Sequence, residues 1–236
     1  MVFEQAMMIE NMPPAERARY EPRLRESQVV LIRTLISDQL RYINIAKSSA
    51  DSLLQLINDI LDLTKIEAGR MALSKLPVSV VSLLEEARSH CMGLLHRQPK
   101  PVEIVVDADD GLPLVIADPV RLAQVLNNLL SNAIRYSPGG SPIDVTIDTG
   151  DAPTGAVVRV RVIDRGPGLS ADDAERVFDR LYRTDEARSR VDGGSGLGLS
   201  IVRSIVETHG GEAFVETNPG QGSTFGFTLP VATRSS

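Results

Sequence analysis

Ala156-Val-Val-Arg-Val-Arg-Val-Ile-Asp164-Arg-Gly166-Pro-Gly168 is the stretch that decides how this chain folds. Arg159 and Arg161 alternate with Val158, Val160 and Val162. That period of two belongs to a strand with one buried and one wet face, so the sheet is covered on one side only. The strand runs out at a lone aspartate followed by two glycines. A carboxylate at the end of a buried strand can accept from an exocyclic amine such as that of adenine. Glycines beside it let a planar ligand approach the backbone. The same residues would also make an ordinary turn, and the segment alone leaves both readings open.

Further strands are expected at 102–106, 143–147, 213–216 and 224–229. Residues 77–81 read as short and extended. Helices are expected at 82–96, with Leu83, Leu84, Ala87, Cys91, Leu94 and Leu95 inward, and at 119–136, 171–177 and 198–208. Asp118-Pro119 is a helix start, with Asp as N-cap and Pro at the first helical position. The tail 233–236 reads as loose. Upstream the pattern changes. Residues 38–68 hold no Gly and no Pro, and Ile43, Ala46, Ala50, Leu53, Ile57, Ile60 and Thr64 fall three and four apart. That is a heptad seam on a helix about 45 Å long, and it asks for a partner. Leu54 and Leu61 widen the stripe toward a bundle face. The chain is therefore divided near Gly69 into a helical region, 1–69, and a mixed region, 70–236. Pro13, Pro14 and Pro22 predict a broken or displaced first helix within the atypical segment 1–37.

Composition narrows the function classes. Lys and Arg number 25 against 31 Asp and Glu, a net charge of −6, so nothing favours nucleic acid or an anionic membrane. The single cysteine, Cys91, excludes an internal disulfide and zinc sites built on paired thiolates. Apolar runs such as Val29-Val-Leu-Ile32 are far too short for a membrane span. The start lacks a basic segment followed by an apolar one, so a cytoplasmic chain, or the cytoplasmic piece of a longer one, is expected.

Two further segments carry polar residues that packing does not require. Asn128 and Asn132 are four apart and share a helix face, which Arg135 and Tyr136 extend by a turn. Carboxamide oxygens and a guanidinium on one stripe suit a hard cation together with phosphate oxygens. A merely solvated polar face is the competing reading. Farther on, Gly193-Gly194-Ser-Gly196-Leu197-Gly198 opens into an apolar helix, the form of a phosphate-facing helix N-terminus. It follows a charged stretch, 183–192, that reads as a lid. It is neither a dinucleotide fingerprint nor a P-loop, because no strand precedes it and no Gly-Lys-Ser/Thr follows.

The order of these segments is specific where each alone is not. Asn128…Asn132, Asp164-x-Gly166-x-Gly168 and Gly194-x-Gly196-Leu197-Gly198 together resemble the ATP-binding domain of sensor histidine kinases, within the gyrase/Hsp90/histidine kinase/MutL superfamily. Phe178-Asp-Arg-Leu181-Tyr182-Arg183 resembles the family's phenylalanine motif, with Leu181 where a second Phe is usual. Thr208-His209-Gly-Gly and Gly220-Gln-Gly-Ser-Thr-Phe225 match its C-terminal pattern, and 56–69 resembles the end of the dimerisation helix hairpin. The resemblance implies an α+β fold: an N-terminal helical hairpin or bundle, then an α/β sandwich whose mixed, mostly antiparallel sheet is covered by helices on one face. It implies ATP and Mg²⁺ as cofactors. Asn132, with Asn128 a turn earlier, would hold the metal. Arg135, where Lys is usual, would face phosphate, Tyr136 would lie near adenine, and Asp164 would accept from its amine. The backbone of Gly194, Gly196, Leu197 and Gly198 would close over the phosphates. It also implies a homodimer through the helical region and a response regulator or partner kinase as partner. Hydrolysing relatives carry Glu at the Asn128 position as base for water, and an amide cannot take that proton.

The nucleophilic His of the family, within His-Glu/Asp-x-Arg-x-Pro, is missing. Counting back from Lys65-Ile-Glu67 at the family's separation reaches Pro14. His90, His96 and His209 all lie elsewhere. Two readings stay open here: a kinase core that transfers the γ-phosphate to a histidine for relay to a regulator, and a pseudokinase-like binding module without its own acceptor.

Overall fold

The computed structural model describes residues 13–68, 72–95, 102–153, 155–189 and 195–232. Gly69, His96, Gly193, Gly194 and the tail 233–236, all singled out above, lie outside them. Contacts divide the chain into two compact units, Met1–Ile57 and Asn58–Ser236.

The first unit, where described, belongs to α1 (Pro14–Glu67), a single helix of 54 residues. The expected break at the prolines is therefore corrected. Pro14 sits at the first helical position, where its missing N–H would have had no partner. Pro22 removes one intrahelical bond, and the strong helix formers on both sides carry the helix past it. Among the described residues the seam is exposed: Ile43 is 62% exposed and Leu53 59%.

The second unit begins with the last turns of α1. Asp59, Asp62 and Leu63 are buried there, while Ile60 and Leu61 of the heptad stripe stay exposed. Asp62 Oδ2 accepts from Arg121 Nη1 at 2.6 Å and from Gln124 Nε2 at 3.0 Å. The chain continues through β1 (Leu76–Val78), α2 (Val80–Leu95), β2 (Ile104–Ala108), β3 (Val115–Ala117) and α3 (Pro119–Tyr136). Then follow β4 (Ile143–Ala152), β5 (Gly155–Asp164), α4 (Ala171–Arg176), α5 (Asp185–Ser189), α6 (Gly198–Thr208), β6 (Glu212–Thr217) and β7 (Ser223–Pro230). Val80 and Val81, expected to be extended, open α2 instead, and β3 was not foreseen. Three residues are too few to show a period, and β3 exists because it pairs with β1, Leu76 opposite Ala117.

Five strands form the main sheet in the order β2-β4-β5-β7-β6. Among the described residues β2 and β4 run parallel, and the other pairs of this sheet are antiparallel. The fold is α+β, as expected, with the apolar sides of α3 and α6 packed on one face. Leu122, Val125, Leu126, Leu129 and Leu130 of α3 and Ile201, Val202, Ile205 and Val206 of α6 are buried with Val160, Val162 and Phe227. Of the residues expected inward on α2, Leu83, Leu84, Ala87 and Cys91 are buried. The opposite face is the wet one: Arg161 Nε donates to Thr146 Oγ1 at 3.0 Å, and Arg159 and Arg161 both pair with Asp148.

Candidate nucleotide site

Asp164 ends β5 with its side chain on the helix-covered face, 5% exposed. Its Oδ1 accepts from Gly166 N at 2.7 Å and from Ser223 N at 3.3 Å. Both bonds go to the same oxygen. Among the described residues nothing bonds Oδ2, and it is not among the fully buried unpartnered atoms, so this oxygen opens to the surface and is left for a donor from outside the chain. Burial pushes the carboxyl above the ordinary aspartate range, and the two N–H donors oppose that only in part. The turn that follows admits only glycine at two points. A Cβ on Gly166 would stand 2.8 Å from Asp164 Oδ1 and 2.9 Å from the Tyr136 carbonyl. Gly168 has φ +71°, and a Cβ there would strike the Asn218 carbonyl.

Helix α3 brings the second group. Asp118 caps it, accepting from Val120 N at 3.0 Å, Arg121 N at 3.2 Å and Ser74 N at 2.9 Å. Burial raises the Asp118 carboxyl, but these three N–H groups and the Arg121 charge outweigh it and hold it below the usual range. The remote end of α3 carries Asn128 and Asn132, both half-buried, then exposed Arg135 and half-buried Tyr136. Asn128 Nδ2 donates to the Gly198 carbonyl at 3.4 Å, tying α3 to the start of α6. The fold thus brings Asn128 to the glycine turn, and the Tyr136 backbone to Gly166.

Helix α6 begins differently from α3. Its N-cap, Leu197, offers no side-chain hydrogen bond, its own N–H donates to Ser195 Oγ at 3.2 Å, and within the helix Ile201 N bonds back to the Leu197 carbonyl at 3.0 Å. The N–H groups just before it are of the kind that receive phosphate oxygens. Gly196 accepts from Leu181 N at 3.0 Å; Leu181 has φ +58° and is 68% exposed. The charged stretch contains α5, anchored by Ala187 N to Thr184 Oγ1 at 3.2 Å and by an Arg188–Asp185 ion pair. A cavity of about 470 Å³ lies between the 167–170 turn and residues 182–188. It shares Gly168 with the turn, but Asn128, Asn132 and Asp164 do not line it.

Known families match both regions in the same order. Residues 117–233 match the histidine kinase-, DNA gyrase B- and HSP90-like ATPases, and residues 24–69 match the His Kinase A (phospho-acceptor) domain. This chain belongs to the histidine kinase family. The sensor protein GacS of Pseudomonas syringae pv. syringae is 37% identical over 194 residues, 82% of this chain but 21% of GacS. The sensor histidine kinase WalK of Bacillus subtilis (strain 168) is 32% identical over 80% of this chain and 30% of its own length. The chain thus spans between a fifth and a third of these relatives. Among solved structures, full-length ShkA in complex with AMPPNP superposes with a TM-score of 0.66 at 30% identity, covering 100% of this chain and 43% of that one. The mycobacterial sensor histidine kinase MprB gives 0.55 at 25% identity, covering 66% and 97%.

The segment matching the phospho-acceptor domain contains no histidine between 24 and 69. In this histidine kinase core, His209 is buried with both ring nitrogens engaged. Nε2 accepts from Asp118 N at 2.9 Å, and Nδ1 donates to the Ile205 carbonyl at 2.7 Å. Sequence reasoning passed over Ser223 and Thr217, which stand beside Asp164 at the sheet end. The run Gly220-Gln-Gly-Ser-Thr was the available signal, but it says nothing about which residues lie next to one another.

Proposed function

We propose that this chain is the ATP-binding catalytic core of a two-component sensor histidine kinase, a transferase that passes the γ-phosphate of ATP to a histidine for relay to a response regulator. The observation that carries the reading is Asp164, a buried carboxylate with one oxygen satisfied by the fold and one left over. The spare oxygen accepts from the adenine amine. Tyr136 lies alongside the base, and Arg135 faces phosphate. The backbone of Gly196, Leu197 and Gly198 meets the phosphates at the start of α6, where the N-cap Leu197 has no side chain able to cap the helix.

Mg²⁺ fits this donor set. Among the described residues no cluster of three or more acidic, His or Cys side chains could cage a metal, and two amide oxygens suit an ion carried mainly on phosphates and water. Asn128 and Asn132 would hold it, and it would neutralise phosphate charge. Asn128 has no basic oxygen for deprotonating water, so the site favours transfer to a side chain over hydrolysis. The acceptor lies outside 24–69. His209 is excluded as acceptor because both its nitrogens are used inside the fold.

The exposed seam on α1 supports a homodimer through the helical region, 1–69, with 70–236 as the ATP-binding domain. No described helix is long and apolar enough to cross a membrane. A cytoplasmic setting, as part of a longer sensor protein, belongs to this reading through the family and not through any feature of the fold.

Radiolabelled ATP tests the reading. The chain alone should gain no acid-labile phosphate, and adding a separate histidine-bearing kinase hairpin should yield label on that hairpin. Release of phosphate to water at a comparable rate would instead assign the chain to the hydrolysing relatives.

A further inference from the structure

Three strand ends lie side by side below the nucleotide turn. Asp164 of β5 pairs with Ser223 of β7, and Ser223 pairs with Thr217 of β6. Directly opposed residues share a face, so all three side chains point to the helix-covered side. Asp164 and Ser223 are buried, and Thr217 is half-buried.

Thr217 Oγ1 has three neighbours and one proton. Leu169 N donates to it at 2.9 Å, and it donates to the Gly222 carbonyl at 3.0 Å. Its third contact is Ser223 Oγ at 2.9 Å. A carbonyl only accepts, so the Thr217 proton goes to Gly222. The remaining contact must then be carried by the proton of Ser223. That leaves Ser223 Oγ with lone pairs only, beside a carboxylate that also only accepts. Through Leu169, the same hydroxyl pins the turn that starts at Gly166.

We propose that Thr217 is a positioning residue for base selection, which holds the Asp164 turn in place and fixes Ser223 as an acceptor. The sheet end then presents acceptors alone and favours a base bearing an amine over one bearing a carbonyl. This rests on Asp164 being the adenine acceptor. Removing the Thr217 hydroxyl frees the Ser223 proton to turn toward a carbonyl and leaves Leu169 N without its acceptor.

Calorimetry with ATP and with inosine triphosphate, whose base has a carbonyl in place of the amine, reads this out. Thr217→Val keeps the side-chain shape and should lower the preference for ATP about 3–10-fold, the scale of one neutral hydrogen bond. Thr217→Ser keeps the hydroxyl and should retain the wild-type preference. Should Thr217→Val fail to fold, Ser223→Ala removes the second acceptor and should lower the preference likewise. Asp164→Asn separates the two levels of argument. Loss of preference in Asp164→Asn, with none in Thr217→Val or Ser223→Ala, overturns the role of Thr217 and leaves the nucleotide reading standing. Unchanged preference in Asp164→Asn overturns both. Equal losses in Thr217→Val and Thr217→Ser would show that bulk, not the hydroxyl, matters, and would also overturn the proposal.

Discussion

Replacing Asp164 by asparagine and by alanine should separate its two duties. Asparagine keeps an oxygen for the N–H groups of Gly166 and Ser223, 2.7 and 3.3 Å away in the wild type. It sets an NH₂ where the spare carboxylate oxygen was, so an incoming amine meets a donor. Losing a hydrogen bond to a charged acceptor costs about 1.5–3 kcal/mol, or roughly 10–150-fold in ATP affinity. The fold should not suffer. Burial raises the Asp164 carboxyl, which means that the ionised form is held at a cost in the free protein. The neutral amide removes that cost, and Asp164→Asn without nucleotide should melt at or above the wild-type temperature. Alanine loses the ligand contact and also leaves two backbone N–H groups without an acceptor, at roughly 1–3 kcal/mol of stability. Its melting temperature should fall by several degrees. Isothermal calorimetry and thermal unfolding of the three proteins check both effects. Wild-type ATP affinity in Asp164→Asn, within a factor of two, would refute the assignment.

Acid should act on Asp164 in two directions. Its folded value is raised, so its stability contribution is greatest below the unfolded value of about 3.9 and is lost as pH rises through the folded value. ATP binding needs the carboxylate and should weaken as pH falls through that raised value; calorimetry from pH 7 downward, with Asp164→Asn as the flat reference, reads this. Burial lowers His209, with the Ile205 carbonyl opposing, and its Nε2 must stay unprotonated to accept from Asp118 N. Stability should therefore be level above about pH 6.5 and fall as pH drops below it. Urea midpoints should show that fall in the wild type and lose it in His209→Gln. Asp62→Ala leaves Arg121 and Gln124 without their shared carboxylate and should cost about 1–3 kcal/mol, read as a lower urea midpoint and faster amide exchange over 58–67. Charges at Ala50 and Ile57 should dissociate the expected dimer, and light scattering showing a monomeric wild type at tens of micromolar (roughly where weak dimers form) would reject the dimer.

The sequence by itself determined those parts whose cause is local. Asp118-Pro119 sets the start of α3, because a cap and a fixed φ act within one turn. Alternation along 158–162 marks β5 and its wet face, because neighbouring side chains on a strand point to opposite sides. The spacing of Asn128, Asn132, Asp164 and the glycines identified the family before any contact was known. Only the tertiary structure decided which of Asp164's oxygens stays free, since Ser223 is 59 residues away. Pairing of β5 with β7 brings that N–H to it. The Leu169–Thr217 bond spans 48 residues and the Asp118–His209 bond 91. Strand β3, three residues long and too short to declare itself, is held by its pairing with β1. Propensity and periodicity are short-range and survive in one dimension. A hydrogen bond between strand ends depends on register and strand order, and those arise only when the whole sheet closes over its helices.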